Sequence, residues 1–372
     1  MKRNIIQILI SLAVALVVIS CDTVDGIMPE FQVKDKTVLV YMVGNNNLSS
    51  DAYNNLKNIK KGYIPQEDNL LVYYHTPSQS PVLLQILKDE TGAVVQDTVY
   101  RFPPRNSSTP ESLTSAMKVT QTMFPAREYG LFLWSHGTGW LPEGQTTKSF
   151  GYEEKLEIEI QDLVRAFPYK LSFVVFDACL MGCIEVAYQM KDSVDYVIAS
   201  PAEVLANGFP YANLMQHIFK TPADLESVAR EYYDYYNSYS GDMRSATVSL
   251  VDTKALEDVA KAARPLFEKY RENIKNLDYT DVQRYYRGNM HWFFDFADYM
   301  VKLAGEQEAQ PVLKALDRAV LYKATTPYFL EIPIDKERYS GLSSYIPIDT
   351  TDVELISYYK TLEWNKAVGM IE

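Results

Sequence analysis

Apolar residues in the first 200 positions are grouped in short unbroken runs that are separated by polar or glycine-rich segments. The runs occupy residues 37–43, 69–75, 131–134, 173–177 and 196–200. Continuous apolar runs of this length are typical of strands that are buried on both faces of a sheet. The pattern therefore predicts at least five core strands in this half of the chain.

Helical segments are predicted between these runs, near residues 49–60, 110–123, 160–167 and 184–190. Ser49 or Ser50 is the expected N-cap of the first helix. Strands that alternate with helices indicate an α/β fold with a mostly parallel sheet. Residues 81–102 differ, because two runs flank the turn at Gly92 and predict a β-hairpin.

The second half of the chain is richer in helix. Apolar residues recur at helical spacing over 222–239, 253–276 and 292–305, and strands are predicted at 246–251, 327–332 and 341–346. Thr221 and Pro222 form a start signal for the first of these helices. No linker separates the halves, so we expect the second half to extend the first sheet and cover it.

The N-terminus resembles a secretory signal. Lys2 and Arg3 precede the apolar run 5–19, which is shorter than the roughly 20 residues that span a membrane. Val18–Cys21 resembles a bacterial lipobox, which implies cleavage before Cys21, its lipidation, and an exported, membrane-anchored protein of the cell envelope or surface. Residues 21–35 are then a tether, and 36–372 form the folded domain. The alternative is an uncleaved anchor helix.

Composition narrows the class of protein. The chain has 372 residues, 47% hydrophobic and 23% charged, which suffices for one large domain or two modest ones. A net charge of −12 disfavours nucleic acid as a partner, because binding phosphates needs clustered Lys and Arg. The charge is compatible with basic peptide substrates, although solubility alone accounts for many acidic proteins. Three cysteines are too few for a disulfide scaffold.

Two of the predicted strands end next to chemically capable residues, His136 and Cys179. Ligands bind outside the carboxyl ends of the strands in open α/β sheets, so both side chains are expected at one edge. An imidazole can take the proton of a thiol and make it a nucleophile. The backbone N–H groups of Gly137 and Cys179 are candidate donors to an oxyanion. Asp177 points to the same side as Cys179 in extended chain and can pair with a basic side chain, or it caps the next helix.

Other candidates for the site are weaker. His75 also ends a strand and is a rival base, but no glycine follows it. Cys183 is expected to be a small buried hydrophobe, and His217 and His291 to be structural. A metal-dependent hydrolase is disfavoured by the presence of only four histidines without HExxH-type spacing.

Several segments together resemble the clostripain family of cysteine peptidases. The similarity runs in order from about residue 36 to residue 348, and the His and Cys motifs are specific as a pair. The motifs are Tyr-Met-Val-Gly-Asn-Asn-Asn-Leu (41–48), Trp-Ser-His-Gly-Thr-Gly-Trp (134–140), Phe-Asp-Ala-Cys-Leu-Met-Gly (176–182), Ala-Ser-Pro-Ala-Glu (199–203), Asn-Gly-Phe-Pro-Tyr (207–211) and Gly-Leu-Ser-Ser-Tyr-Ile-Pro (341–347).

The resemblance implies a caspase-like α/β fold and an endopeptidase that cleaves after Arg or Lys. It implies a dyad of His136 and Cys179, with Asp177 in the S1 pocket that binds the P1 side chain. It also implies self-cleavage in the loop that follows the histidine. Lys148 is the first candidate for that processing site and Lys155 the second, although Lys148 can equally be an ordinary solvated residue. Calcium is a possible cofactor by the same resemblance.

The chain departs from the family pattern at two places. Asn207 stands where the family often has an acidic residue, which weakens the prediction of a basic P1 residue. Asn45 or Asn47 stands where the first motif often has Asp, so a charge or metal role is lost there while a polar role survives. These changes and the 28 tyrosines keep a second hypothesis open, a surface lipoprotein that uses the fold as an inactive or weak peptide-binding module.

Overall fold

The computed structural model describes residues 32–64, 67–142, 149–287, 291–348 and 351–372. The predicted signal peptide, Cys21, most of the tether and Lys148 lie outside the described residues. The strands are β1 (Lys34–Val43), β2 (Asn69–Thr76), β3 (Gln79–Lys88), β4 (Val94–Arg101), β5 (Ala126–Trp134), β6 (Phe150–Glu153), β7 (Leu156–Ile158), β8 (Leu171–Asp177), β9 (Val194–Ala199), β10 (Thr247–Asp252), β11 (Phe294–Asp295), β12 (Val320–Thr325), β13 (Tyr328–Phe329), β14 (Ile332–Pro333) and β15 (Ser343–Ser344).

Helices lie between and after these strands. They are α1 (Ser49–Gly62), α2 (Pro110–Met123), α3 (Ile160–Arg165), α4 (Ile184–Gln189), α5 (Tyr211–Ile218), α6 (Leu225–Asn237), α7 (Leu256–Ile274), α8 (Phe296–Ala304), α9 (Glu306–Ala319), α10 (Val353–Thr361) and α11 (Glu363–Val368).

The central sheet has nine strands in the order β12-β10-β9-β8-β5-β1-β2-β3-β4. The five strands from β9 to β2 are parallel to one another. The strands β3 and β10 run antiparallel to their neighbours, and the β3–β4 pair is the predicted hairpin. The prediction of an α/β fold with a mostly parallel sheet is therefore confirmed.

Both faces of the central parallel strands are buried, as the continuous apolar runs predicted. Along β1, the alternate residues Leu39 and Tyr41 belong to one hydrophobic core, and Val38 and Val40 belong to the other. Helices α1, α5 and α6 cover the second face, and most of the other helices cover the first. The result is a sheet between two layers of helices, the caspase-like architecture that the resemblance implied.

The second half of the chain extends the sheet and covers it, as expected. Strands β10 and β12 add to the edge formed by β9. Helices α7, α8 and α9 pack on one another and on the core. Across the described ranges, the helices are too short or too polar to cross a membrane.

Some local predictions were wrong. Helix α6 begins at Leu225 rather than at Pro222, because the Asp224 side chain accepts from the Ser227 N–H and makes Asp224 the N-cap. Helix α1 has Leu48 as its N-cap, without a side-chain hydrogen bond, so neither Ser49 nor Ser50 has that role. The strand predicted at 327–332 is instead the small β13–β14 hairpin.

Candidate active site

The register of the sheet brings the two motifs together. Strands β5 and β8 are parallel neighbours, and Trp134 at the end of β5 pairs with Asp177 at the end of β8. His136 and Cys179 each follow two residues later, so both emerge from the same edge at the same level. The Ser135 N–H donates to the Asp177 carbonyl (3.3 Å) and continues this alignment beyond the strands.

Gly137 fixes how closely the two loops approach. A Cβ atom at this position would lie 2.7 Å from the Cys179 carbonyl oxygen and 2.9 Å from the Ala178 Cβ. Real Cβ atoms do not approach other atoms so closely, so a side chain here would force the loops apart. The residue after His136 must be glycine for the two loops to stay in contact.

Cys179 is partly exposed as a residue, and its thiol is covered by the loop that contains Val204. Its Sγ accepts from the Val204 N–H (3.3 Å) and donates to the Val204 carbonyl oxygen (3.6 Å). Burial raises the pKa of the thiol to about 12, so the thiol is protonated at neutral pH. Leu180, the next residue, has a positive φ of 62°, which is strained for a leucine and marks the turn after the nucleophile as held by its surroundings.

His136 is half-buried beside the turn that follows β1. Its Nε2 lies 2.8 Å from the Asn47 Oδ1, and Tyr152 stands edge-on to the ring with 6.0 Å between centroids. Burial lowers the pKa of the imidazole, which favours the neutral form that a base needs. A cleft of about 460 Å³ opens next to the ring and is lined by Asn47, Tyr152 and Glu157 among others.

Asp177 lies under the loop that connects β9 to α5. The residue is 4% exposed, and its Oδ2 accepts from the Phe209 N–H (3.0 Å) and the Tyr211 hydroxyl (2.8 Å). Burial raises the pKa of this carboxyl to about 6. These two partners lie just before α5 and at its first residue. The helix after Cys179 has Cys183 as its N-cap, so Asp177 does not cap that helix. Asn207 is exposed in the same loop.

The comparisons with known proteins decide the family. The model of the clostripain family matches residues 40–359. The chain belongs to the clostripain family. It is therefore a cysteine peptidase by descent, with the fold and motifs of that family. Comparison with curated proteins gives no significant match.

Solved structures of the family are similar over nearly the whole chain. The zymogen of a C11 protease from Parabacteroides distasonis, described as inactive, is 36% identical, with a TM-score of 0.82 over 91% of this chain and 99% of its own. A secreted C11 cysteine protease from Bacteroides thetaiotaomicron, in complex with an irreversible peptide inhibitor, is 26% identical. Its TM-score is 0.78 over 90% of this chain and 98% of its own.

The structure of this clostripain-family chain adds site residues that the sequence did not single out. Arg287 donates to Glu203 from both Nε (3.0 Å) and Nη2 (2.7 Å), and Glu203 precedes the Val204 that covers the thiol. The two residues are 84 positions apart, and no local pattern links them. Asn47 was noted only as a departure from the family pattern, and its contact with His136 spans 89 positions.

The remaining candidates have ordinary roles or stay open. The His75 Nδ1 lies 2.7 Å from the Ser107 Oγ and 3.2 Å from the Glu153 carboxylate, inside a buried network. Cys183 is fully buried in the core, as predicted. Lys155 is exposed in the turn between β6 and β7 with a φ of 69°.

Calcium was left open as a cofactor by the resemblance to the clostripain family. Within the described residues, no group of three or more His, Cys, Asp or Glu side chains is placed to hold a metal ion.

Proposed function

We propose that this protein is an endopeptidase that cleaves after Arg or Lys with Cys179 as nucleophile and His136 as base. The observation that carries the proposal is the convergence of both residues at one edge of the sheet, where Gly137 packs against the Cys179 backbone. The family contributes the reaction class, cysteine-type peptide hydrolysis.

The chemistry follows from these groups. The His136 imidazole takes the proton of the Cys179 Sγ, and the thiolate forms a bond to the scissile carbonyl carbon. The N–H groups of Gly137 and Cys179 donate to the oxyanion. The C–N bond then breaks, and the imidazolium gives its proton to the leaving amine. Water adds to the thioester while His136 takes a proton from it, and the C–S bond breaks to release the acid and restore the thiol.

The P1 preference rests on Asp177, with Asn207 in the loop that covers it. The carboxylate lies at the end of β8, two residues before Cys179. It is buried beneath the loop that contains Phe209, so a P1 side chain would reach it when that loop moves aside. A guanidinium or ammonium group there would gain a charge-assisted hydrogen bond. Asn207 adds polarity but no charge, so we expect weaker discrimination against neutral P1 residues than two acidic residues would give.

Activation by self-cleavage at Lys148 completes the proposal for the enzyme. The Cys179 thiol is covered by Val204 and its pKa is raised, so it is a weak nucleophile in this state of the chain. A similar chain from Parabacteroides distasonis is described as an inactive zymogen. Lys148 lies in the segment that joins the His136 loop to β6, and Lys155 is the second candidate site.

Export with lipidation at Cys21 is the proposal for location. It rests on the apolar run 5–19 and the lipobox-like Val18–Cys21. The 26% identical protease from Bacteroides thetaiotaomicron is described as secreted, which supports export of this chain as well. The mature domain would then meet peptides and proteins outside the cytoplasm.

The deciding experiment compares the soluble domain with its Cys179→Ala variant on Arg- and Lys-terminated reporter peptides. We expect hydrolysis by the wild type and a loss of at least about 10³-fold in the variant, because no other group can form the thioester. Equal rates in the two proteins would contradict the proposal.

Mass spectrometry of the same two preparations tests processing. Two fragments that join after Lys148 are expected in the wild type and a single chain in Cys179→Ala. A cut in both proteins would assign the cleavage to another protease. A wild type that is active as one intact chain would remove self-cleavage from the proposal and leave the peptidase.

The second candidate is a surface lipoprotein that keeps the fold as a peptide-binding module. The covered thiol favours it, because a binding module has no need of an exposed nucleophile. An irreversible thiol-directed peptide inhibitor distinguishes the two. Selective labelling of Cys179 is expected of the enzyme, and binding without labelling is expected of the module.

A further inference from the structure

The Asn47 side chain contacts the proposed base, His136, and a mechanism that uses only Cys179 and His136 gives this contact no role. It lies in the turn that leaves β1, and its Oδ1 is 2.8 Å from the His136 Nε2. The turn is three consecutive asparagines, Asn45 to Asn47, and each one has a different partner.

The partners of the other two asparagines hold the turn in place. The Asn46 side-chain amide donates to the carbonyl oxygens of Val43 (3.2 Å) and Tyr152 (2.7 Å), while its Oδ1 accepts from the Leu48 N–H (2.8 Å). The Asn45 amide donates to the buried Glu153 carboxylate (2.8 Å). The turn is therefore tied both to β1 and to the β6 strand beside the His136 loop. Asn47 is presented to the imidazole from a fixed backbone.

The contact selects which ring nitrogen can act as base. When the Asn47 Oδ1 accepts from an Nε2–H, the neutral imidazole carries its lone pair on Nδ1, which is then free to take a proton from a thiol. The same acceptor stabilises the imidazolium that forms after the transfer. An acceptor in this position also prevents the half-buried ring from rotating, which is the role of the third residue in nucleophile–His–Asp/Asn arrangements.

We propose that Asn47 is a positioning residue that orients His136 and fixes its tautomer, so that the site works as Cys179–His136–Asn47. This inference rests on the proposed function, in which His136 is the base. It goes beyond that function because it assigns Asn47 a role that is exerted through the imidazole.

Among the described residues, titratable side chains of β6 and β7 also lie near the ring. Tyr152 faces it edge-on from β6, and Glu157 lines the same cleft from β7. Cys179 lies beyond Gly137 on the β8 side. Burial is the cause that lowers the pKa of His136, so a new charge at position 47 should dominate any change in that pKa.

Two substitutions and one matched control test the proposal in the full domain. Asn47→Ala should lower kcat by about 10- to 100-fold with KM within about twofold, since the ring loses its orientation but the substrate pocket is intact. Asn47→Asp should raise the pKa of His136 and move the acid limb of the pH profile of kcat/KM upward by about one unit, because an adjacent carboxylate favours the imidazolium. Asn54→Ala is the control, because Asn54 is exposed on α1 and does not line the cleft beside His136, so this variant should leave that acid limb in place.

An activity-independent readout keeps the outcomes distinct. NMR titration of His136 in the Cys179→Ala background, assigned with His136→Gln, should show the pKa rise in Asn47→Asp even if no peptide substrate is found. An unchanged His136 pKa in Asn47→Asp, or an unchanged kcat in Asn47→Ala, overturns the role of Asn47. A wild type that cleaves no reporter overturns the proposed function instead, and the titration then decides on Asn47 by itself.

Discussion

Among the described residues, two aspartates are buried, Asp177 and Asp295, and only Asp177 lies at the proposed site. Burial raises the pKa of Asp177 to about 6 and that of Asp295 to about 6. Each accepts a hydrogen bond from a buried tyrosine hydroxyl, Tyr211 (2.8 Å) for Asp177 and Tyr285 (2.7 Å) for Asp295. The pair therefore separates the effect of a buried carboxyl from the effect of a carboxyl in the proposed S1 pocket.

Asp177→Asn should lower kcat/KM for Arg and Lys reporters by about 100-fold and leave neutral P1 reporters nearly unchanged. The amide keeps an acceptor for Phe209 and Tyr211 but loses the charge that would bind a basic P1 side chain. Steady-state kinetics on matched reporters measure this. Asp295→Asn is the control, and a similar loss of Arg preference in that variant would contradict an S1 role for Asp177.

Asp177→Asn should also change how the stability of the protein depends on pH. The folded state binds the Asp177 proton more strongly than the unfolded chain does, because the pKa is raised from 3.8 to about 6. Stability from this group is therefore present at low pH and is lost as the pH rises through that interval. Asp177→Asn should flatten the decline of the free energy of unfolding between about pH 4 and 6 in urea titrations.

The loop between β9 and α5 is the element on which the site depends most. Within residues 200–210 it covers the Cys179 thiol through Val204, holds the Asp177 carboxylate through Phe209, and carries Glu203. Arg287, in the segment before β11, donates two hydrogen bonds to the Glu203 carboxylate. One loop thus controls access to both the nucleophile and the proposed specificity residue.

Arg287→Gln should increase the rate at which iodoacetamide alkylates Cys179 by about threefold to tenfold. The lost bidentate pair is partly exposed, so it contributes modestly to holding the loop closed. Labelling kinetics followed by mass spectrometry measure the rate. Arg338→Gln is the matched control, because Arg338 makes a similar pair with Asp298 elsewhere. Equal acceleration in both variants would indicate general loosening of the protein and contradict a role of the Arg287–Glu203 pair in holding the loop over Cys179.

Local patterns predicted the elements that build the sheet. Helix α2 begins and ends as predicted, at Pro110 and Met123, because Thr109 caps it and the apolar spacing is regular. The start of α6 was predicted too early, because Thr221 and Pro222 are also compatible with a turn. The helix is capped by Asp224 instead. The segment Glu306–Thr325 was not predicted, since its helix is largely polar and its edge strand β12 is half-exposed.

The candidate site was predictable only as far as it is local or shared by the family. His136, Gly137 and Cys179 stand in recognisable motifs, and the sheet register brings them together. The contacts Asn47–His136 and Arg287–Glu203 join residues 89 and 84 positions apart. Such pairings depend on the packing of loops, which hydrophobic periodicity does not specify.

The two halves of the chain meet directly behind the nucleophile. The Ser343 N–H of β15 donates to the Gly182 carbonyl (2.9 Å), three residues beyond Cys179. Glu185 on α4 is fully buried, and its Oε1 accepts from the Ser344 hydroxyl (3.1 Å), the Tyr345 N–H (2.9 Å) and the Tyr359 hydroxyl (2.8 Å). The C-terminal part is therefore built into the support of the nucleophile loop, and we expect the described domain to unfold as one unit.

Tyr359→Phe tests this coupling, because it removes one donor from Glu185 without changing the packed ring. We expect a loss of about 1–2 kcal/mol in the free energy of unfolding, the usual cost of deleting a buried hydrogen bond to a carboxylate. Tyr299→Phe is the control, since that fully buried hydroxyl donates only to the Met370 sulfur at 3.5 Å. It should cost under about 0.5 kcal/mol. Urea unfolding followed by both circular dichroism and fluorescence should give coincident single transitions in all three proteins. Two separate transitions, of which Tyr359→Phe shifts only one, would contradict this coupling. The C-terminal part would then unfold independently of the part that contains Cys179.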